Sequence, residues 1–280
     1  MSKFLKYKKK GPIVTLTMDD PDNRNALSGQ QQYEDFERYC NKINDDYGVR
    51  CVILTGNGKA FSAGGNVKNM KKRTEQGQPP SVEIRDTYRT GIQRIPMAFY
   101  TLEVPTIGAI NGAAVGAGCD LACMCDIRIG SQYARFAESF VRLGISPGDG
   151  GAYFLPRAVP MSIAYEMIFT GEMMDAERAL ATGMISQLVD ADDLLKAANA
   201  LAKRIAANPA HALRLSKKLM RESQHMRMDQ LLELSAVYNA MLQHTDDHKK
   251  RVARMVAQIS SSAGKGKKKK KAAPKKKKKK

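Results

Sequence analysis

Thr106-Ile107-Gly108-Ala109-Ile110-Asn111-Gly112-Ala113-Ala114-Val115-Gly116-Ala117-Gly118-Cys119-Asp120-Leu121 is the stretch that decides the fold. The apolar run Thr106–Ile110, entered through Pro105, predicts a short buried strand. Asn111-Gly112 is a turn signal. The small-residue run AAVGAG then opens a helix at CDLACMC, and a further strand is expected at 126–129. Strand, glycine-lined bend, helix and strand in succession describe an α/β unit.

Working outward, the same alternation appears on both sides. Ile13–Met18 (IVTLTM) predicts a strand, and the turn PDNRNALSG leads into a helix over 30–45. Residues 50–55 predict a buried strand closed by Gly56-Asn57-Gly58. A second glycine-rich bend follows, Phe61-Ser62-Ala63-Gly64-Gly65-Asn66-Val67. Residues 71–80 are polar and rich in breakers, which predicts a mobile loop, and 82–101 reads as one helix. From Pro160 the pattern is helical over 162–169, 175–182, 192–207, 210–221 and 230–260, with one short strand at 185–189. An α/β core followed by a helical region is the expected fold class.

Composition narrows the function classes. The chain has 280 residues, 43% of them hydrophobic, enough for one full-size core with a helical appendage. No apolar stretch approaches the roughly 20 residues that span a bilayer. The start, MSKFLKYKKK, has no apolar core and no small-residue cleavage site, so it does not read as a secretory signal. Five cysteines (Cys40, Cys51, Cys119, Cys123, Cys125) lie inside apolar runs, which reads as reduced core thiols in a cytoplasmic protein. The formal charge is +18, but residues 265–280 hold 12 lysines and no acid, leaving +6 on the rest. The excess belongs to a tail expected to be disordered. Such a tail is either a solubilising end or a tether to a polyanion. Clustered lysine binds phosphates without reading sequence, and no aromatic residue is interleaved for base stacking.

Both glycine-rich bends follow an apolar strand, so both can bring backbone close to a ligand. A helix start also leaves N–H groups unpaired and aimed outward. Two such bends brought together would form an oxyanion hole for a carbonyl that becomes an enolate. The ordered set NRNALS, KAFSAGGNVKNM, EVPTIGAINGAAVGAGCDLACMCDIRIG, FAESFVRLGISPGDGGAYFLPR and FTGEMMDAERALATGMISQLV resembles the enoyl-CoA hydratase/isomerase (crotonase) family. The likeness runs from about Ile13 to Val189 and more loosely to Ile259, leaving out the first ten residues and the tail.

The resemblance implies a crotonase-like spiral of repeated ββα units over 1–200 and a helical oligomerisation region over 201–260, while composition alone sets off the disordered polylysine tail over 261–280. It implies trimers or pairs of trimers. Arg24, Ala26 and Leu27 fall where the family's first loop touches CoA. Ala63, Gly64, Gly65, Asn66 and Val67 match the A-G-[AG]-D-[IL] segment, with Asn66 in place of the commoner Asp. Gly65 would donate one amide to the hole and Ala117 the other. The implied activity is reversible hydration of a 2-enoyl-CoA. Double-bond isomerisation is the nearest alternative, and acyl-CoA hydrolysis or C–C cleavage on the same scaffold another. CoA would be part of the substrate, with no metal and no further cofactor.

The acid–base groups depart from the family pattern. Asp120 stands where hydratases commonly carry a catalytic Glu, but the second Glu position falls on Phe140, which cannot transfer a proton. Asp149 and Glu138 are the two candidate substitutes, and strand alternation would set Glu138 and Phe140 on one face of the acyl site. Gly144-Ile145-Ser146-Pro147-Gly148 mimics a serine-hydrolase elbow. In that elbow the residue after Ser donates an amide, and Pro147 has none. Cys119, Cys123 and Cys125 lack further ligands for zinc. His211, His225, His244 and His248 all lie in the C-terminal helices and read as surface groups.

Overall fold

The structure is a computed structural model that describes residues 4–271. Nine strands form two sheets. The larger has the order β1 (Leu5–Lys10), β2 (Ile13–Met18), β3 (Cys51–Gly56), β5 (Thr106–Ile110), β7 (Ile127–Ser131) and β9 (Gln187–Val189). The smaller has the order β4 (Ala60–Ser62), β6 (Ala113–Val115) and β8 (Arg135–Ala137). Every pair within these ladders is parallel except β1 with β2. The chain visits the sheets alternately, β3 then β4, β5 then β6, β7 then β8, and returns through helix or 3-10 turn each time. Those are the expected ββα units.

The large sheet is covered on both faces, which is why its strands read as continuous apolar runs. In β3, Val52 and Leu54 join one core with Phe36, Phe61 and Phe136, while Cys51 and Ile53 point the other way. That second face is closed by α9 (Leu194–Ala206), which lays Leu194, Ala198, Ala202 and Ala206 on Ile53, Ile107 and Ile129.

The remaining helices are α1 (Gln30–Asp45), α2 (Val67–Glu75), α3 (Ser81–Thr90), α4 (Arg94–Thr101), α5 (Ala117–Cys123), α6 (Gly151–Ala158), α7 (Met161–Thr170), α8 (Ala176–Ala181), α10 (Ala210–Glu222), α11 (Met228–Gln243) and α12 (Asp246–Lys271). Two readings change. The expected loop over 71–80 is helical as far as Glu75, because Asn66 caps α2 by accepting from Lys68 N and Asn69 N. The single helix over 82–101 is two, broken at Gly91. Strand β1, within the segment left out of the likeness, pairs with β2 along its whole length, burying Leu5 while its lysines face outward.

A compact unit runs to Lys217 and a second begins at Lys218. Within the first unit, α9 closes the large sheet and Arg214 ties α10 to the core. The Arg214 guanidinium donates to Ile43 O, Asn44 O and Asp46 O, satisfying carbonyls at the end of α1. Helix α12 continues past 260 to Lys271; the tail residues 272–280 lie outside the described residues. No helix among the described residues is long and apolar enough to cross a membrane.

Candidate active site

Strands β4 and β6 are parallel neighbours, so the bends that leave their ends emerge side by side. The first bend is Ala63-Gly64-Gly65, between β4 and the Asn66 cap. The second is Gly116, at φ +52°, between β6 and α5. Gly64 sits at φ +72°, and a Cβ built there would run into Val115 O and lie 3.0 Å from Ala117 N. Only glycine allows the two bends this close. Gly116 N is spent on Ala137 O at 2.8 Å. Gly65 N and Ala117 N donate to no protein acceptor among the described residues. Ala117 opens α5, where the first N–H groups have no intrahelical partner.

The first loop is laced onto these bends. Ala63 N donates to Arg24 O, and Leu27 N to Gly64 O at 2.8 Å. Arg24 is exposed with φ 53°, while Ala26 and Leu27 are buried behind it. The residue that fastens this loop is Asn25, which the sequence reading did not single out. Fully buried, its amide donates to Asn57 O, Ala60 O and Phe61 O, and its own carbonyl accepts from Ser62 Oγ. Ser62 Oγ in turn accepts from Gly64 N. A polar residue between an αL arginine and a buried Ala-Leu pair was the available signal. Val67 is exposed at the start of α2, and Asn66 acts there as the helix cap.

Behind the bends lie three carboxylates. Asp120 sits in the first turn of α5, Glu138 follows β8, and Asp149 stands just ahead of α6. Asp120 and Glu138 are fully buried, and none of their four oxygens has a hydrogen-bond donor from the protein. The negative charge of Glu138 disfavours a second charge on Asp120, so the buried pair favours keeping a proton. Burial first, then the charge of Glu138, drives Asp120 well above the usual aspartate range. Burial lifts Glu138 to about 7, and burial alone lifts Asp149 to about 6. A Cβ on Gly151 would run into Asp120 Oδ1, so glycine at the start of α6 makes room for this carboxylate.

Glu138 and Phe140 do not share a strand face. Glu138 precedes a 3-10 turn over Ser139–Leu143 that contains Phe140, so the period-2 argument does not apply. The Phe140 ring is buried 3.6 Å from where a Gly116 Cβ would stand, bordering the second bend. Ser146 is exposed, and the four histidines are exposed on helices α10 to α12 or the turns between them. The five thiols are buried and free. No group of three or more metal-binding side chains forms a cation site among the described residues. The groove between α1 and α4, where Arg94 pairs with Glu34 and Glu37, holds none of the three carboxylates.

Comparison with known proteins agrees with this arrangement. The family model described as enoyl-CoA hydratase/isomerase matches residues 8–259. A short-chain-enoyl-CoA hydratase of Clostridium acetobutylicum is 33% identical over 250 residues, 89% of this chain and 92% of that protein. A 1,2-epoxyphenylacetyl-CoA isomerase of Escherichia coli is 30% identical over 93% of this chain and 97% of its own length. The crystal structure of an enoyl-CoA hydratase from Mycobacterium smegmatis superposes with a TM-score of 0.84 at 26% identity, covering 92% of this chain and 97% of that one. Two sheets visited alternately, paired glycine bends and a match across nearly the whole length place the chain in the enoyl-CoA hydratase/isomerase family, with the crotonase fold.

Proposed function

We propose that this enzyme adds water reversibly to a 2-enoyl-CoA. The observation that carries the reading is the close approach of two glycine bends, each carrying a backbone amide with no protein acceptor, Gly65 N on one and Ala117 N on the other, in a fold that also buries carboxylates of staggered acidity. The amides hold the thioester oxygen as it gains charge, an interaction strongest in the enolate. Groups whose environments push their acidities apart divide the proton work. Near neutral pH Asp149 is ionised and serves as base, taking a proton from water as its oxygen attacks Cβ. Asp120, kept protonated by burial and by Glu138, returns a proton to Cα. Glu138 shares the proton of the buried pair and so stands in for the carboxylate lost at Phe140. CoA is part of the substrate, and Arg24, Ala26 and Leu27 form the loop set to meet it.

Double-bond isomerisation is the second reading, favoured by Phe140. With one hydratase position unable to carry a proton, Asp149 alone could remove a proton from one carbon and return it to another. A panel of enoyl-CoA thioesters in deuterated water separates the two by mass. Gain of one water supports hydration, deuterium without added water supports isomerisation, and absence of any turnover overturns both. Asp149→Asn and Asp120→Asn should each slow turnover about a hundredfold or more. Unchanged rates in both would contradict the assignment.

The exposed side chains of Met161, Tyr165 and Phe169 on α7 support assembly of identical chains, in threes or pairs of threes. The lysine tail supports contact with a polyanion, and the buried free thiols support a cytoplasmic setting.

A further inference from the structure

Asp149 is carried by the turn Pro147-Gly148-Asp149-Gly150, and that turn is gripped from outside the carboxylate cluster. The Tyr88 ring of α3 lies directly on Gly148: a Cβ there would be 2.8 Å from Cε1 and 3.3 Å from Cδ1. The side-chain amide of Gln93 donates to Gly148 O at 3.0 Å, and the backbone N of the same residue donates to Tyr88 O at 3.1 Å. One residue between α3 and α4 thus joins the end of α3 to the turn. Pro96 of α4 closes the other side, 3.0 Å from the Cβ position of Gly150.

We infer that Tyr88 is a positioning residue for Asp149: its ring, seated on the Gly148 turn that Gln93 ties to the end of α3, keeps water from the carboxylate and sets its strength as a base. This rests on the reading of Asp149 as the base. The groups facing the carboxylate are Asp120 from α5, Glu138 ahead of the 3-10 turn, Tyr33 from α1 and Tyr88 itself. Burial first and then the Asp149 charge raise both phenols, while Arg73 on α2 acts on them in the opposite sense. Burial is the cause that lifts Asp149 itself.

Gly148 makes a double-mutant test available, because its backbone is not in the left-handed region and the three atoms nearest an alanine methyl there all belong to the ring. Carboxyl-carbon NMR of aspartate-labelled protein, with Asp149 assigned by its loss in Asp149→Asn, follows the titration directly. Tyr88→Phe keeps the ring and should titrate like the parent. Tyr88→Ala and Gly148→Ala should each move Asp149 down toward the ordinary value of about 4. Gly148→Ala should add nothing in the Tyr88→Ala background. The acid limb of the kcat/KM profile should move with the NMR titration.

An unchanged Asp149 titration in Tyr88→Ala overturns the inference, as does an equal Gly148→Ala shift with and without the ring. If the titrations move as stated but Asp149→Asn keeps full turnover, the clamp stands and the reading of Asp149 as base fails.

Discussion

Burial alone lifts Asp149 to about 6, so its folded form prefers the proton. For a carboxylate raised in this way, stabilisation is fully present below the ordinary aspartate value and is lost as pH rises through about 6. Above that point the buried charge costs on the order of 2–3 kcal/mol. Asp149→Asn should therefore melt at higher temperature than the parent at pH 8, with the gap closing near pH 4. An equal gap at both values would mean that charge burial is not the cause. On the proposed roles, the same three carboxylates should set the activity profile. The rate should rise through about pH 6 as Asp149 ionises, then fall when the Asp120–Glu138 pair loses its shared proton. That second limb belongs to the pair and to neither residue alone.

At the scale of elements, the bends matter more than the strands that carry them. Gly64→Ala puts a methyl group against Val115 O in a backbone conformation that disfavours it. The change should push the bends apart and cut turnover at least a hundredfold, with the far-ultraviolet circular dichroism retained. Retained activity would show that the bends need not touch. The bends were legible because glycine runs after apolar strands are conspicuous in sequence. Strands β4, β6 and β8 were not, since three residues are too few to display alternation. Strand β1 was hidden by its lysines, although an edge strand with one outward face tolerates charge well. Of the acid–base groups, Asp120, Glu138 and Asp149 could each be named from position. Their ranking came from burial and contact, and the grip of Asn25 and Tyr88 came from side chains distant in sequence.

At the scale of the whole molecule, the fold is that of the enoyl-CoA hydratase/isomerase family, and the proposed polyanion contact of the lysine tail is separable from it. Removing everything after Gly264 should leave turnover intact and abolish binding to inorganic polyphosphate. The affinity of the full chain should fall steeply with salt as bound counterions are released. Undiminished polyphosphate binding by the shortened chain would place the contact elsewhere. The central claim concerns two main-chain amides and one oxygen, and a crystal structure of the full chain with a slowly reacting acyl-CoA tests it most directly. The thioester oxygen should lie within about 3 Å of both Gly65 N and Ala117 N. An oxygen bound at any other place, with those two amides left facing solvent, would contradict the account.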